Sequence, residues 1–160
     1  MERIDKILNH DLFVQNMRKN EAAEADRGFC RHDMEHLLDV ARIAFILNLE
    51  ETLGLQKDVV YAAALLHDLG RHVQYADGTP HELASAEIAP SILHDCGYDN
   101  KETHVIINAI RSHRTVEIAN DHDLNGILYR ADKASRACFF CKSEKACDWK
   151  QEKKNFTICY

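Results

Sequence analysis

Apolar residues recur every three to four positions along the chain and strand-like alternation never persists, so the pattern predicts a nearly all-α protein. Residues 3–26, RIDKILNHDLFVQNMRKNEAAEAD, carry one or two helices with a polar C-terminal end. The run HDMEHLLDVARIAFILNLEE (32–51) places Leu37, Val40, Ala41, Ala44 and Leu47 on one stripe, and Gly54 breaks the pattern. The next helix covers about Lys57 to Gly70 and ends on that glycine. RHVQYADGTP (71–80) reads as a loop closed by Pro80. HELASAEIAPSILHDCG (81–97) reads as a helix interrupted or restarted near Pro90 and ended by Gly97. ETHVIINAIRSHR and NGILYRADKASRACFF supply two more helices, and the tail from Cys141 to Tyr160 is polar with no strong period. No repeat is visible, and composition does not shift before about residue 138.

Several of these apolar stripes end in groups that are costly to bury. AAALLHDLGRH (62–72) closes with His67 and Asp68 side by side, and both need partners if they are inside. Adjacent helical residues point about 100° apart, so the two act on one side only where the helix meets a cleft or a shared ion. His36 opens another apolar helix, His81 opens a third, His113 closes a fourth, and Asp132 lies inside a fifth. An isolated His-Asp pair is most simply a hydrogen-bonded core pair. Donors from several helices are instead how a bundle builds a metal site, and imidazole with carboxylate suits first-row transition metals. His32 lies one turn before His36 on the same face, so spacing alone allows either as the donor. His10, His72, His94, His104 and His122 read as solvated.

The order His36, His67-Asp68, His81, His113, Asp132 resembles the HD superfamily of metal-dependent phosphohydrolases over about residues 30–136. The segments that carry the likeness are HLLDVARIA, ALLHDLGR, HELASAEIA, IRSHR and RADKASR. The resemblance implies a compact all-α bundle, a single HD domain over residues 1–160 with its core at about 30–136 and a short cysteine-containing tail at about 138–160. His36, His67, Asp68 and Asp132 would hold a first divalent ion, with Asp68 as the bridge. His81 and His113 match the extra histidines of the dinuclear branch, which implies two ions, iron or manganese. The family's run after its first histidine favours His36 over His32, leaving His32 at the pocket edge as a phosphate contact or as a surface histidine.

The implied activity is hydrolysis of a nucleotide or other small phosphorylated substrate by a metal-activated water, with His67 and Asp68 at the catalytic centre. A non-catalytic nucleotide or metal sensor is the alternative. Arg71, Arg114, Lys133 and Arg136 flank the motif residues and are candidates to neutralise phosphate. Arg136, one turn beyond Asp132, is the first choice as a catalytic cation, although any of the four also reads as an ordinary surface charge.

Composition narrows this picture. A chain of 160 residues suits one domain burying roughly two thirds of its unfolded surface. A net charge of −6 argues against a general nucleic-acid surface, while leaving room for a phosphorylated small molecule met by local positive charge. MERIDKILNHDLF has no signal-peptide order and the apolar runs are too short for a bilayer, so a soluble cytoplasmic protein without membrane contact is expected. The six cysteines are then reduced thiols or metal ligands. ACFFCKSEKACDW sets Cys138, Cys141 and Cys147 in a Cys-x2-Cys-x5-Cys pattern, with Cys30 or Cys159 as the fourth ligand of a structural zinc or an iron–sulfur cluster. Unligated thiols are the plainer reading, and Cys96 reads as a small buried residue.

Overall fold

In the computed structural model, which describes residues 1–160, the N-terminal segment forms two helices, α1 (Glu2–Leu8) and α2 (Asp11–Ala23). His10 separates them. Its backbone is extended, its Nδ1 accepts the Leu12 N–H at 3.2 Å, and its Nε2 lies 3.2 Å from Asp95, so this histidine is a cap rather than a solvated side chain. Arg3 then ties α1 down through Asp58 at 2.7 Å and Glu102 at 2.7 and 2.8 Å, stacked over Tyr98.

α3 (Met34–Glu50) starts at Asp33, whose carboxylate accepts the His36 N–H. The stripe Leu37, Val40, Ala41, Ala44 and Leu47 is fully buried, each larger side chain contributing roughly 1.5–3 kcal/mol. α3 packs on α4 (Lys57–Leu66), which ends at Leu66 rather than reaching Gly70. His67 and Asp68 therefore sit on a four-residue turn that follows the helix, His67 still with helical backbone angles. Gly70 is needed in that turn because α6 (His81–Asp95) passes so close: a Cβ there would lie 2.6 Å from the Ser85 backbone nitrogen.

The stretch expected to be a loop is largely helical. α5 (Arg71–Asp77) buries no residue, so it has no apolar period to read, and it stops at Gly78, whose φ of 84° suits glycine. α6 runs unbroken through Pro90. Pro90 is exposed, and the helix continues past it to Asp95.

α7 (Asn100–Ser112) begins with a capping box between Asp99 and Glu102, and α8 (Leu124–Ala134) begins at Asp123. α8 packs against α3 and α7. It ends sooner than the sequence suggested, because the Asn155 side-chain amide reaches back to the carbonyls of Lys133, Ala134 and Arg136 at 2.8, 3.2 and 2.9 Å. The tail continues as 3-10 turns at Cys138–Phe140, Glu144–Ala146 and Gln151–Lys153. It is pinned across the molecule by Phe139 N–H to Asn155 O at 2.9 Å and by the Ser143 hydroxyl to Gly28 O at 2.5 Å. The result is an all-helical bundle, and none of its helices is long and apolar enough to cross a membrane.

Candidate metal centre

Five element ends meet at one buried point. His36 comes from the first turn of α3, His67 and Asp68 from the turn after α4, His81 from the start of α6, His113 from the end of α7, and Asp132 from the last turn of α8. Asp68 stands in the middle. Its Oδ2 lies 3.6 Å from His36 Nε2 and 3.4 Å from His67 Nε2, while its Oδ1 lies 3.0 Å from His81 Nε2 and 3.7 Å from His113 Nε2. Asp132 Oδ1 joins the first side at 3.7 Å from His36 and 4.0 Å from His67.

Each of these rings presents Nε2 to the centre because its Nδ1 is engaged elsewhere. His67 Nδ1 donates to Ala64 O at 2.7 Å and His113 Nδ1 to Ile110 O at 2.6 Å. His81 Nδ1 meets Gln74 Oε1 at 2.5 Å, and His36 Nδ1 meets the Ser135 hydroxyl at 3.3 Å. Anchored Nδ1 atoms fix orientation and tautomer, as second partners do for metal-bound imidazoles. Three buried atoms at the centre have no hydrogen-bond partner: His36 Nε2, His67 Nε2 and Asp68 Oδ1. Leaving such atoms unpaired costs about 1–3 kcal/mol each, which a bound cation would offset.

The donors form three groups whose ligand atoms lie within 4.8 Å of one another: His36, His67 and Asp68; His67, His113 and Asp132; and Asp68, His81 and His113. This donor set fits a divalent first-row metal.

Protonation states follow from the surroundings. Burial alone would raise the Asp68 pKa, but the His67 charge and the imidazoles gathered around the carboxylate outweigh it and hold the carboxyl far below its usual range. Burial also works against the Asp132 carboxylate, and Lys133, His67 and Arg136 overcome it. Burial pushes His81 down to about 4, keeping it neutral. Burial likewise works against protonated His67, but the two aspartates reverse it and raise its pKa. The paired carboxylates thus draw positive charge to this point.

His32 is buried, which removes the surface reading. Its Nδ1 meets Glu24 Oε1 at 2.5 Å, its Nε2 is bonded by Arg71, and Asp68 Oδ2 is 3.8 Å away. Glu24 also accepts from the His32 N–H at 2.8 Å and from the Tyr75 hydroxyl at 2.6 Å. Burial opposes its charge, yet these bonds hold it at about 2. That value lies below the unfolded one, so Glu24 adds stability above about pH 4.5 that is lost as pH falls toward 2. Urea titrations across this range should therefore show on the order of 2–3 kcal/mol lost in the native chain and a flatter profile in Glu24→Gln. Identical profiles would contradict this role.

A cavity of about 340 Å³ opens over Asp68, His81, His113 and Asp132. Its wall carries Arg27, Arg71, Arg114, Lys133, Arg136 and Lys153, with Tyr129 and Trp149 beside them, a concentration of positive charge in a chain that is acidic overall. Arg71 Nε lies 3.7 Å from Asp68, Lys133 contacts Asp132, Arg136 lies 3.7 Å from Asp132 and stacks on Trp149, and Arg114 bonds Glu82 at 3.3 Å. A second cavity of about 270 Å³ shares Arg27, Arg71, Arg136 and Trp149 and is also lined by Cys30, His32, Cys138 and Cys147. Cys159 lies in a different groove, beside Asp39 and Ile43.

Sequence reasoning missed Glu24, Trp149, Lys153 and also Asn20. The buried Asn20 side chain donates to Asp68 O at 3.0 Å and accepts the His72 N–H at 2.8 Å, fixing the turn and leaving His72 half-buried rather than solvated. His94, His104 and His122 are exposed, as expected, and Cys96 is buried.

Residues 33–137 match the HD domain family. The whole chain is 46% identical to an uncharacterized protein of Clostridium beijerinckii, over 160 residues and the full length of both. Over 104 residues, 65% of this chain, it is 31% identical to ribonuclease Y 1 of Pediococcus pentosaceus, spanning 18% of that enzyme's length. Its fold is similar to the crystal structure of a predicted HD superfamily hydrolase from an uncultured Thermotogales bacterium. The TM-score is 0.62 and the identity 26%, covering 88% of this chain and 80% of that one. The His/Asp centre lies within the matched stretch, and with that match the chain belongs to the HD domain family.

Proposed function

We propose that the protein is a metal-dependent phosphohydrolase for a small phosphorylated substrate of the nucleotide class, working with two divalent ions, iron or manganese. The observation that carries this reading is Asp68, whose two carboxylate oxygens face different histidine pairs. His36, His67 and Asp132 would complete one metal position, and His81 and His113 the other. Bound there, the metals would supply a Lewis acid for the phosphoryl group and a water acidified for attack.

The chain's own residues do the rest. Asp68 and Asp132 stay ionised to hold the cations, while the anchored Nδ1 atoms keep the rings aimed. Arg136 and Arg71 face the same cavity and would orient the phosphate through paired hydrogen bonds. Lys133, Lys153 and Arg27 would balance further phosphate charge, and Tyr129 and Trp149 offer aromatic surface to a base. The cavity is of small-molecule size, and the net charge of −6 disfavours a polyanionic strand such as RNA.

The test pairs elemental analysis with phosphate release over nucleotides, dinucleoside polyphosphates and a short RNA. About two iron or manganese ions per chain with turnover of one nucleotide class is expected. Arg136→Ala should raise KM by roughly 10–100-fold with metal content unchanged. Full turnover in metal-free protein would overturn the reading, and tight nucleotide binding without product would make the site a sensor.

A further inference from the structure

The cysteines of the tail do not contribute to the His/Asp centre, yet the fold gathers them. Cys138, Cys141 and Cys147 sit on or beside the 3-10 turns after α8, with the Cys141 N–H donating to Cys138 O at 3.2 Å, and Cys30 lines one cavity with Cys138 and Cys147. Cys30 and Cys147 come from stretches joined by the Ser143 hydroxyl on Gly28 O, so a cross-molecule contact holds the set together. Arg136 lines the cavity that Cys30, Cys138 and Cys147 share, and the buried Lys154 ammonium, fixed to Glu144 at 2.9 Å, anchors the tail beside it. All four thiols are free of disulfides.

We propose that Cys30, Cys138, Cys141 and Cys147 are the four ligands of an iron–sulfur cluster at the edge of the cavity. Two observations separate this from a lone structural zinc and from idle thiols. The donor groups with ligand atoms within 4.8 Å of one another are composed of His and Asp alone, and no three cysteines form one. A single zinc with bonds of about 2.3 Å needs its sulfurs packed more tightly than that. A cubane gives each thiolate a separate iron and suits wider-set sulfurs. In addition, the cluster with four thiolates is an anion, and Arg136 lines the same cavity as Cys30, Cys138 and Cys147, within reach of that charge. Ligation releases the four thiol protons and forms four Fe–S bonds to an assembled cluster, with no change of oxidation state required. Cys30 lies two residues before His32, and Cys138 two residues after Arg136. The cluster would therefore staple together the two segments that wall the phosphate cavity.

Acid-labile sulfide is the deciding readout, since the His/Asp centre has no use for it. The full chain purified anaerobically, or reconstituted with sulfide and equal amounts of ferrous and ferric iron, should hold about four labile sulfides per chain and show a visible absorption bleached by dithionite. Cys141→Ser and Cys147→Ser should lose the sulfide, whereas Cys96→Ser, Cys159→Ser and His67→Ala should keep it. No labile sulfide in the unmutated protein after reconstitution would overturn the proposal, without reference to how any variant folds. One zinc per chain that Cys141→Ser releases would overturn it as well. Neither outcome bears on the hydrolase reading, which rests on different residues.

Discussion

Asp68→Asn is expected to strip the bound metal and lower phosphate release by on the order of 10³-fold or more, while the helical content stays as it was. The substitution keeps the shape of the side chain and removes only its charge. That charge is what four imidazoles converge on, His36 and His67 from one side and His81 and His113 from the other. With an amide there, neither side retains an anionic ligand in common, and one of the two amide positions presents hydrogens where a lone pair is required. The backbone should not move, because the Asp68 carbonyl is still held by Asn20 and by the Arg71 N–H at 3.1 Å. Elemental analysis, phosphate release and far-ultraviolet circular dichroism together check this. Metal content and turnover within tenfold of the native protein would remove Asp68 from the centre.

The second large effect concerns packing. Gly70→Ala would place a Cβ 2.6 Å from the Ser85 nitrogen, 2.7 Å from the Ala84 Cβ and 2.8 Å from the Ala84 carbonyl carbon. None of these atoms can rotate aside, so α6 must shift away from the turn. Overpacking of this kind costs about 1–3 kcal/mol, and for a chain of this length a Tm lower by roughly 4–10 °C is expected. The displacement also pulls His81 from Asp68, now 3.0 Å apart across that contact, so metal affinity should fall by roughly 10–100-fold. Gly28→Ala is the control, with nothing within 4 Å of the added carbon. Equal melting temperatures for the two variants would show that α6 yields more readily than the contact distances imply.

The residues gathered around Asp68 were legible in the sequence because all but Asp132 mark the end of an apolar stripe, where a costly polar group needs a reason. What the pattern could not convey was the geometry between stripes. His67 and Asp68 were read on a helix, yet the turn that begins at His67 is what lets neighbouring side chains reach one point. α5 escaped notice since it buries nothing, and Pro90 suggested a break that the helix does not make. Glu24 and Asn20 lie in an ordinary charged helix end, and only long-range folding brings them to His32 and Asp68. Trp149 and Lys153 occupy a stretch with no period at all, so their place on the cavity wall had no local signature. The same distance in sequence left the choice between Cys30 and Cys159 open.

The family match stops at residue 137, but the cavity wall does not. Asn155 closes the end of α8 from beyond that boundary, and Trp149 and Lys153 reach over the opening that α8 helps to form. The donor set lies wholly inside the matched stretch, whereas the cavity wall is drawn from both sides of its boundary. Changes at Trp149 and Lys153 would therefore reshape the opening while leaving every donor residue in place.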